Sequence, residues 1–463
     1  MTSTFFGLNI ALQGLMAQRM ALDVSAHNVA NANTDGYSRQ EALMQATPPF
    51  TVPTANRLVE AGQLGTGVQV SQVRRLRDDF LDYQIRGQLS ALGGWQTLQD
   101  TLSQIEALVN EPSDTGLAVA LSNMWAAWQD LSANPDSYAA RAVVVQSSSV
   151  LADALRTGSA QLSQLRDQVG QAITMKVSDM NTWLQQIASL NDQIVKVQAA
   201  GDQPNDLRDQ RDLLLDRLAQ AARITYQEQA DGSVKVWLGS DSGNTDALLV
   251  EGSRSYPLGD SSGALTSTQE SLVEDGELKA LLDCRDGALD PAAAGSLAYR
   301  WNALAATLIQ EVNSRHTPDG SIPFFTGSGA SDIAVNPDLV ADPSQVQAGT
   351  GGPGDGSTAL GIARLATTPV SIDGQMTTLG EWYNALVTRL GTDIEQAKAM
   401  TANQQSLVNH LKTNREALSG VSLDEEAANM VRYERAYQAS ARVMTAMDEM
   451  LDRIINGMGV VGR

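Results

Sequence analysis

Apolar side chains recur at alternating spacings of three and four residues near both ends of the chain. Near the start they are Phe5, Leu8, Leu12, Leu15, Leu22 and Val29, and near the end Met430, Tyr433, Tyr437, Met444, Met447, Leu451 and Ile454. This alternation brings side chains to one face of a helix and is typical of a coiled-coil seam. We therefore predict that an N-terminal helix and turn (1–45) and a C-terminal helix (421–463) pair as a coiled coil, with these residues as the assembly seam.

The same helical spacing continues inward from both ends and indicates long helices. An apolar stripe extends from Leu162 to Val197 without a break, which is too long for a compact bundle of short helices. We expect a rod domain of long helices over residues 79–222, return helices over 276–316 and a further rod helix over 378–420. The predicted fold class is mainly α, with long helical rods.

Three segments depart from helical spacing. Residues 46–78 are rich in Pro and Gly and then carry alternating Val, which predicts an extended arm or hairpin. Residues 223–275 alternate apolar positions around a turn at Asp231-Gly232, which predicts a small β domain inserted into the helical chain. Residues 317–377 are rich in Gly, Pro, Asp and Ser, and we expect irregular structure or a reduced subdomain there.

The charge and cysteine content exclude several classes of protein. The chain has 53 Asp and Glu against 32 Lys and Arg, a net charge of −21, which disfavours nucleic-acid binding. Its single cysteine, Cys284, cannot build a disulfide framework or a cysteine-based metal cluster. No window of about 18 uninterrupted apolar residues occurs, so we expect no membrane insertion. The start lacks a basic segment and a cleavage motif, so we expect no cleaved signal peptide.

Two small motifs resemble chemical sites but lack the required context. Gly349, Gly351 and Gly354 fit the pattern G-x-G-x-x-G, but no apolar strand precedes them and Pro353 interrupts the segment. Cys284 has no histidine close to it in the sequence. We therefore expect neither a nucleotide site nor a catalytic thiol.

Aspartates crowd residues 206–216 and could suggest paired catalytic acids or a cation site. Because arginines interleave with them, we predict a solvated, salt-bridged helix face, with Arg208 and Asp212 as an i, i+4 pair. The three histidines lie far apart in sequence and form no metal-ligand pair: His27, His316 and His410. Our prediction is that the chain has no catalytic, cofactor-binding or metal site.

The segment after the first helix resembles the signature shared by flagellar rod, hook and hook-associated proteins. It covers residues 28–40, and the resemblance is carried by Asn28, Asn31, Asn33, Gly36, Tyr37 and Ser38. Four internal stretches resemble the hook-associated protein 1 family more closely than rod or hook proteins: 128–135, 205–212, 312–316 and 420–430. The chain departs from the family at Asp35, where proline is more frequent. It is also short for the family, which suggests a reduced outermost domain.

The resemblance implies a structural protein of the bacterial flagellum, located outside the cell and exported without a cleaved signal peptide. It implies a ring of identical copies that joins the hook protein to the second hook-associated junction protein, and an export chaperone that binds the C-terminal helix. It implies no cofactor and no enzymatic activity. Two alternatives stay open: another axial component, such as a hook or rod protein, and an axis-borne wall hydrolase with a pocket domain carrying paired acids.

Overall fold

The computed structural model describes residues 5–49, 65–109, 116–260, 263–317 and 322–457. The helices are α1 (Phe6–Asn31), α2 (Asp79–Val109), α3 (Leu117–Ala133), α4 (Tyr138–Ala199), α5 (Asn205–Ala221), α6 (Ser267–Leu272), α7 (Glu277–Asp283), α8 (Leu297–His316), α9 (Pro337–Ala341), α10 (Ser357–Ala363), α11 (Leu379–Ser419) and α12 (Leu423–Gly457). The strands are β1 (Gln40–Ala46), β2 (Val68–Arg75), β3 (Ile224–Glu228), β4 (Val234–Leu238), β5 (Leu248–Glu251), β6 (Arg254–Ser255), β7 (Phe325–Thr326), β8 (Ala334–Val335), β9 (Val370–Ile372) and β10 (Gln375–Thr377). Parts of six predicted segments lie outside the described residues: 1–4, 50–64, 110–115, 261–262, 318–321 and 458–463.

Long helices with small antiparallel sheets between them confirm the predicted fold class. Helix α4 has 62 residues, which corresponds to a length of about 93 Å at the usual helical rise. Along its stripe, Met180, Leu184 and Ile187 have no exposed surface. Because an apolar stripe of this length must be covered throughout, α3, α5, α8 and strand β5 all pack along α4. No helix in the described ranges is long and apolar enough to cross a membrane.

Helix α2 joins the rods to the rest of the chain. It packs against α11, α5 and α7. Its first half contributes Ile85, Leu89 and Leu92 to a small apolar cluster with Val408 of α11, and its second half enters the main core from Leu102 onward. The rods therefore share one large hydrophobic core, with a smaller cluster on the side of the terminal helices.

Strands β1 and β2 form an antiparallel hairpin with an irregularity between Leu43 and Met44. Strand β1 begins at Gln40, inside the segment assigned to the N-terminal helix and turn, so the predicted boundary at residue 46 is wrong. Residues 40–46 contain no β-branched side chain, and pairing with β2 makes them a strand. The hairpin packs against α1.

The inserted β domain is a four-stranded antiparallel sheet in the order β3-β4-β5-β6. Gly232 occupies the left-handed region, at φ +80°, in the turn between β3 and β4. The side chain of Asn191 on α4 ties the sheet to the rod, because it donates to the carbonyl oxygens of Val234 and Gly252 and accepts from the Val234 N–H. The domain is therefore anchored at a polar group buried in the main core.

The Gly-rich segment after α8 is a small packed subdomain in its described part. Short antiparallel pairs, β7 with β8 and β9 with β10, alternate with short helices. Phe324 and Phe325 are buried, and the Phe324 ring lies edge-on to Trp128 of α3 at a centroid distance of 5.0 Å. Aromatic burial against α3 therefore organises a segment whose composition predicted little regular structure.

Candidate assembly site

The predicted C-terminal seam forms the inner face of α12. Six of its residues are half-buried: Met430, Tyr433, Tyr437, Met444, Met447 and Leu451. Ile454 is exposed, at 43%. The helices are antiparallel, since Met447 lies beside Gly7 and Ser440 beside Gly14 of α1.

The predicted N-terminal seam lies only partly in the contact with α12. Leu8, Leu15 and Leu22 are half-buried, whereas Phe5, Leu12 and Val29 are exposed. The buried residues of α1 are instead Ala11, Ala17, Ala21, Ser25 and Asn28. This corrects the predicted face, because most of these residues precede predicted seam positions by one residue, about 100° around the helix.

Small side chains explain why this face of α1 packs against α12. A Cβ atom at Gly14 would lie 3.2 Å from Ser440 Oγ, and one at Gly7 would collide with the terminal methyl of Met447. Glycine at both positions lets the helix backbones approach closely and leaves space for the bulkier α12 side chains. Size complementarity, rather than the position of the leucines, therefore selects the contact face.

Asn28, the first residue of the family signature, joins the end of α1 to the hairpin. Its Nδ2 donates to Gln40 O at 2.9 Å, and its Oδ1 accepts from Gln40 N–H at 3.0 Å and from the Tyr37 hydroxyl at 2.8 Å. Burial, together with the charges of Asp206 and Asp209, raises the pKa of Tyr37 well above its usual range, so the hydroxyl keeps its proton and remains a donor. The buried amide thus closes the turn between α1 and β1.

The remaining signature residues shape and dock that turn. Asn31 Nδ2 donates to His27 O at 3.1 Å, and Asn33 is exposed. Gly36 adopts φ +78° beside the Leu213 side chain, a backbone conformation that favours glycine. The Ser38 N–H donates to Asp209 Oδ2 on α5 at 2.9 Å. The signature therefore attaches the terminal helices to the rod domain.

The aspartates of α5 form a buried cluster with arginines from elsewhere in the chain. Arg75 Nη1 lies 2.8 Å from both Asp209 Oδ1 and Asp212 Oδ2. Arg86 binds Asp216 through Nε at 2.7 Å and Asp212 through Nη2 at 3.2 Å. Asp209 is only 5% exposed and Asp212 9%. The prediction of a solvated helix face is therefore wrong at these positions.

Two more arginines extend the cluster to α2 and α11. Arg77 Nε binds Asp82 at 2.5 Å, and Arg415 Nη1 contacts Asp216 at 2.8 Å and Asp82 at 3.4 Å. The predicted pair of Arg208 with the aspartate four residues later is also wrong, because Arg208 binds Glu228 of β3 at 3.3 Å. The signal available in the sequence was the group Arg74, Arg75 and Arg77 just before α2, whose charges required acidic partners in a chain with few basic residues.

The pKa values of two aspartates in this cluster are shifted in opposite directions. Burial raises the pKa of Asp212, but the surrounding Arg77, Arg86 and Arg75 lower it by more, so its carboxyl is ionised far below its usual range. At Asp209 burial outweighs Arg75 and the Ser38 hydrogen bonds, and the pKa is raised above its ordinary value. The cluster is therefore an ionic joint between α2, α5, α11 and the hairpin.

The other candidate motifs take structural positions. Burial raises the pKa of the Cys284 thiol to about 11, which opposes thiolate chemistry. In the Gly-rich loop, the Gly351 N–H donates to Asp355 Oδ2 at 2.7 Å, so this loop wraps one of the chain's own carboxylates. Within the described ranges, no group of three or more His, Cys, Asp or Glu side chains is arranged to hold a metal ion.

Exposed apolar side chains lie on both terminal helices, and we call these two sets the terminal ridges. On α1 they are Leu12, Met16, Met20 and Val29, and on α12 Leu423, Val431, Val443, Met450, Ile454 and Ile455. All are more than one third exposed. Exposed apolar side chains concentrated on one pair of helices favour a site of protein–protein contact.

Comparison with known sequences identifies first the class and then the family. Residues 8–37 match the profile described as flagella basal body rod protein, and residues 416–457 match flagellar basal body rod FlgEFG protein C-terminal. These matches cover the terminal pair and define an axial protein of the flagellum. Residues 102–322 match the profile of the flagellar hook-associated protein FlgK helical domain.

Full-length relatives make the assignment specific. The chain is 34% identical to flagellar hook-associated protein 1 of Bacillus subtilis strain 168, with 100% of both chains covered. It is 25% identical to hook-associated protein 1 of Escherichia coli K12, with 97% of this chain and 99% of that one covered. The chain belongs to the flagellar hook-associated protein 1 family.

A solved structure supports the fold. The flagellar hook junction protein FlgK from Burkholderia pseudomallei aligns with a TM-score of 0.60 at 17% identity, covering 73% of this chain and 100% of that one. The similarity agrees with the arrangement of long helices described above.

Proposed function

We propose that identical copies of this chain form a ring at the junction between hook and filament and meet one another through the terminal ridges. The observation that carries the proposal is the set of exposed apolar side chains on both α1 and α12, which the chain leaves uncovered although the long apolar stripe of α4 is buried. Helices that bury one face within the chain and present another to neighbours are suited to a continuous tube.

In this proposal the ring contacts the hook protein on one side and the second hook-associated junction protein on the other. Its role is structural and needs no cofactor and no enzymatic step. The ionic joint supports this role, because its buried contacts fix the hairpin that packs against α1 to the helices α2, α5 and α11.

Export without a cleaved signal peptide, assisted by a chaperone on α12, completes the proposal. The half-buried and exposed methionines of α12 form an adaptable apolar surface that suits a temporary partner. A chain truncated after residue 420 should lose chaperone capture in a pull-down while keeping folded rods. Undiminished capture would locate the chaperone elsewhere.

The first experiment is electron microscopy of a strain that lacks this gene, with the medium assayed for flagellin. We expect hooks without filaments and secreted flagellin monomer. Absence of hooks would place the protein in the rod or hook instead, and intact filaments would reject a junction role.

A point variant tests the terminal ridges directly. Leu12 is 38% exposed, so Leu12→Asp should leave the chain folded but place a charge where a neighbouring copy packs. We expect export to continue and filament attachment to fail. Val150→Asp, at an exposed position of α4 (51%), is the matched control and should attach filaments normally; normal motility of Leu12→Asp would show that this ridge contacts no neighbour.

A further inference from the structure

Arg39, which follows the signature turn, connects the end of α1 to the start of α12. Its N–H donates to Ser419 O at the end of α11 at 2.8 Å, and its carbonyl accepts from the Leu76 N–H at 2.8 Å. Its guanidinium binds Glu426 Oε1 through Nε at 2.8 Å and Glu425 Oε2 through Nη1 at 2.6 Å. One residue therefore holds the first turn of α12 against the segment that leaves α1.

Glu426 differs from every other described side chain of α12, because it alone is buried, at 1% exposure. Oε1 accepts from Arg39, and Oε2 has no hydrogen-bond partner among the described residues. A buried ion pair adds little net stability, but the loss of one partner leaves an uncompensated charge in the interior. The best attested use of such groups is to fix the alignment of paired helices.

The small-residue face of α1 does not by itself select one alignment with α12. Gly7 meets Met447 and Gly14 meets Ser440, so residues seven apart on one helix meet residues seven apart on the other. Continuing this heptad spacing gives the further pairs Ala21–Tyr433 and Asn28–Glu426. A shift by seven residues again places larger side chains opposite small ones over most of the pair. Shape therefore leaves a shifted pairing open, and only the last pair in the series is polar on both sides.

We propose that the Arg39–Glu426 ion pair sets the register in which α1 and α12 meet, and that Arg39 is a positioning residue for the assembled ring. A shift of one heptad, about 10 Å along the axis, would separate the two charges, so the ion pair would be lost and Glu426 would leave its buried position. It would also displace the two terminal ridges relative to each other. The role of Arg39 in the ring rests on the proposed function, whereas the register of α1 and α12 is a property of the single chain.

Spin labels on cysteines introduced at the exposed positions Arg19 and Met450 report the register by pulsed electron paramagnetic resonance of the full chain. We expect one narrow distance in the parent protein. In R39Q/E426Q we expect a second population about 10 Å away, or a broad distribution. In R39Q alone the second population should be roughly ten-fold larger than in R39Q/E426Q, because the parent register then holds a buried carboxylate without its cation. A sample without the introduced cysteines measures the background from Cys284, which is buried.

The matched control is R74Q/E41Q, which removes an Arg–Glu pair of the same hairpin whose side chains are 51% and 46% exposed. It should keep the parent distance. A single unchanged distance in R39Q/E426Q would overturn the proposal. If R39Q/E426Q loses helix content by circular dichroism, the charge-swapped R39E/E426R decides: return of the parent distance supports the register role, and its absence overturns it. Normal filament attachment by a chain with shifted register would overturn the positioning role alone and leave the proposed function intact.

Discussion

The long helix α4 and the terminal helix α12 carry apolar stripes of the same spacing, yet the chain treats them differently. On α4 the stripe is fully covered, and Met180, Leu184 and Ile187 are inaccessible. On α12 the stripe is half-buried against α1, and among its described side chains only Glu426 is buried. Periodicity therefore identifies the face that packs, whereas the number of neighbours that cover it depends on the tertiary structure. The stripe of α4 therefore contributes its full length to the stability of one chain, whereas the stripe of α12 keeps accessible apolar surface.

Removing a buried cation from the joint should produce the largest loss. Arg86→Met removes a buried cation that binds both Asp216 and Asp212, and we expect the rods to lose about 3–5 kcal/mol of stability. Urea unfolding followed by circular dichroism measures this loss. Arg156→Met, at an exposed pair with Asp153, should cost less than about 1 kcal/mol. Equal effects of the two variants would mean that the joint behaves as surface charge.

The same truncation in both regions tests the comparison directly. Met180→Ala removes a fully buried side chain and should cost about 2–5 kcal/mol in the unfolding of the rods. Met444→Ala removes a half-buried one and should cost about 1 kcal/mol. Hydrogen exchange should locate the second loss in α1 and α12, with unchanged protection along α4. Faster exchange throughout α4 in Met444→Ala would contradict separate stabilities for the two regions.

Glycines in the two regions should also respond differently to the same change. Gly14→Val inserts a branched side chain where Ser440 already lies close, and we expect the terminal pair to lose about 1–3 kcal/mol. Gly87→Val on α2 meets no atom within 4 Å of its Cβ and should change stability by less than about 0.5 kcal/mol. Exchange rates of α1 and α12 amides measure the first effect, and thermal unfolding of the rods the second. A neutral Gly14→Val would argue against close backbone approach.

The smallest expected effect is a pH dependence confined to the rod side. Nδ1 of buried His316 lies 3.0 Å from Ile322 O, and its Nε2 accepts the Gln347 N–H at 3.0 Å, so the neutral ring satisfies both contacts. Burial lowers the pKa of His316 below its ordinary value of 6.5. The stabilisation is therefore complete above about pH 6.5 and is lost as the pH falls through the lowered pKa.

Thermal unfolding between pH 7 and pH 5 measures this dependence. His316→Gln should flatten it, whereas His410→Gln, on an exposed position of α11, should leave it unchanged. The difference in melting temperature between the parent protein and His316→Gln removes the contribution of the other acidic groups. If this difference stays constant between pH 7 and pH 5, the His316 ring is not held neutral.

Much of the architecture could be predicted from local patterns. The alternation of three and four located the long helices, and the turn at Asp231-Gly232 located the inserted sheet. The Gly-rich segment was harder, because its order depends on Phe324 packing against Trp128, nearly two hundred residues earlier in the chain. The ionic joint was also missed, because the acids on α5 find their cations on β2, α2 and α11.

The sequence alone determined the long helices, the inner face of α12 and the membership of a flagellar axial family, because these depend on residues close together in the chain. Only the tertiary structure decided which face of α1 meets α12. Glycine and alanine carry little hydrophobic signal, and their importance depends on the size of the side chains that a distant helix places against them. The same holds for Arg39, whose role becomes visible only where a turn near the start of the chain brings it to Glu426.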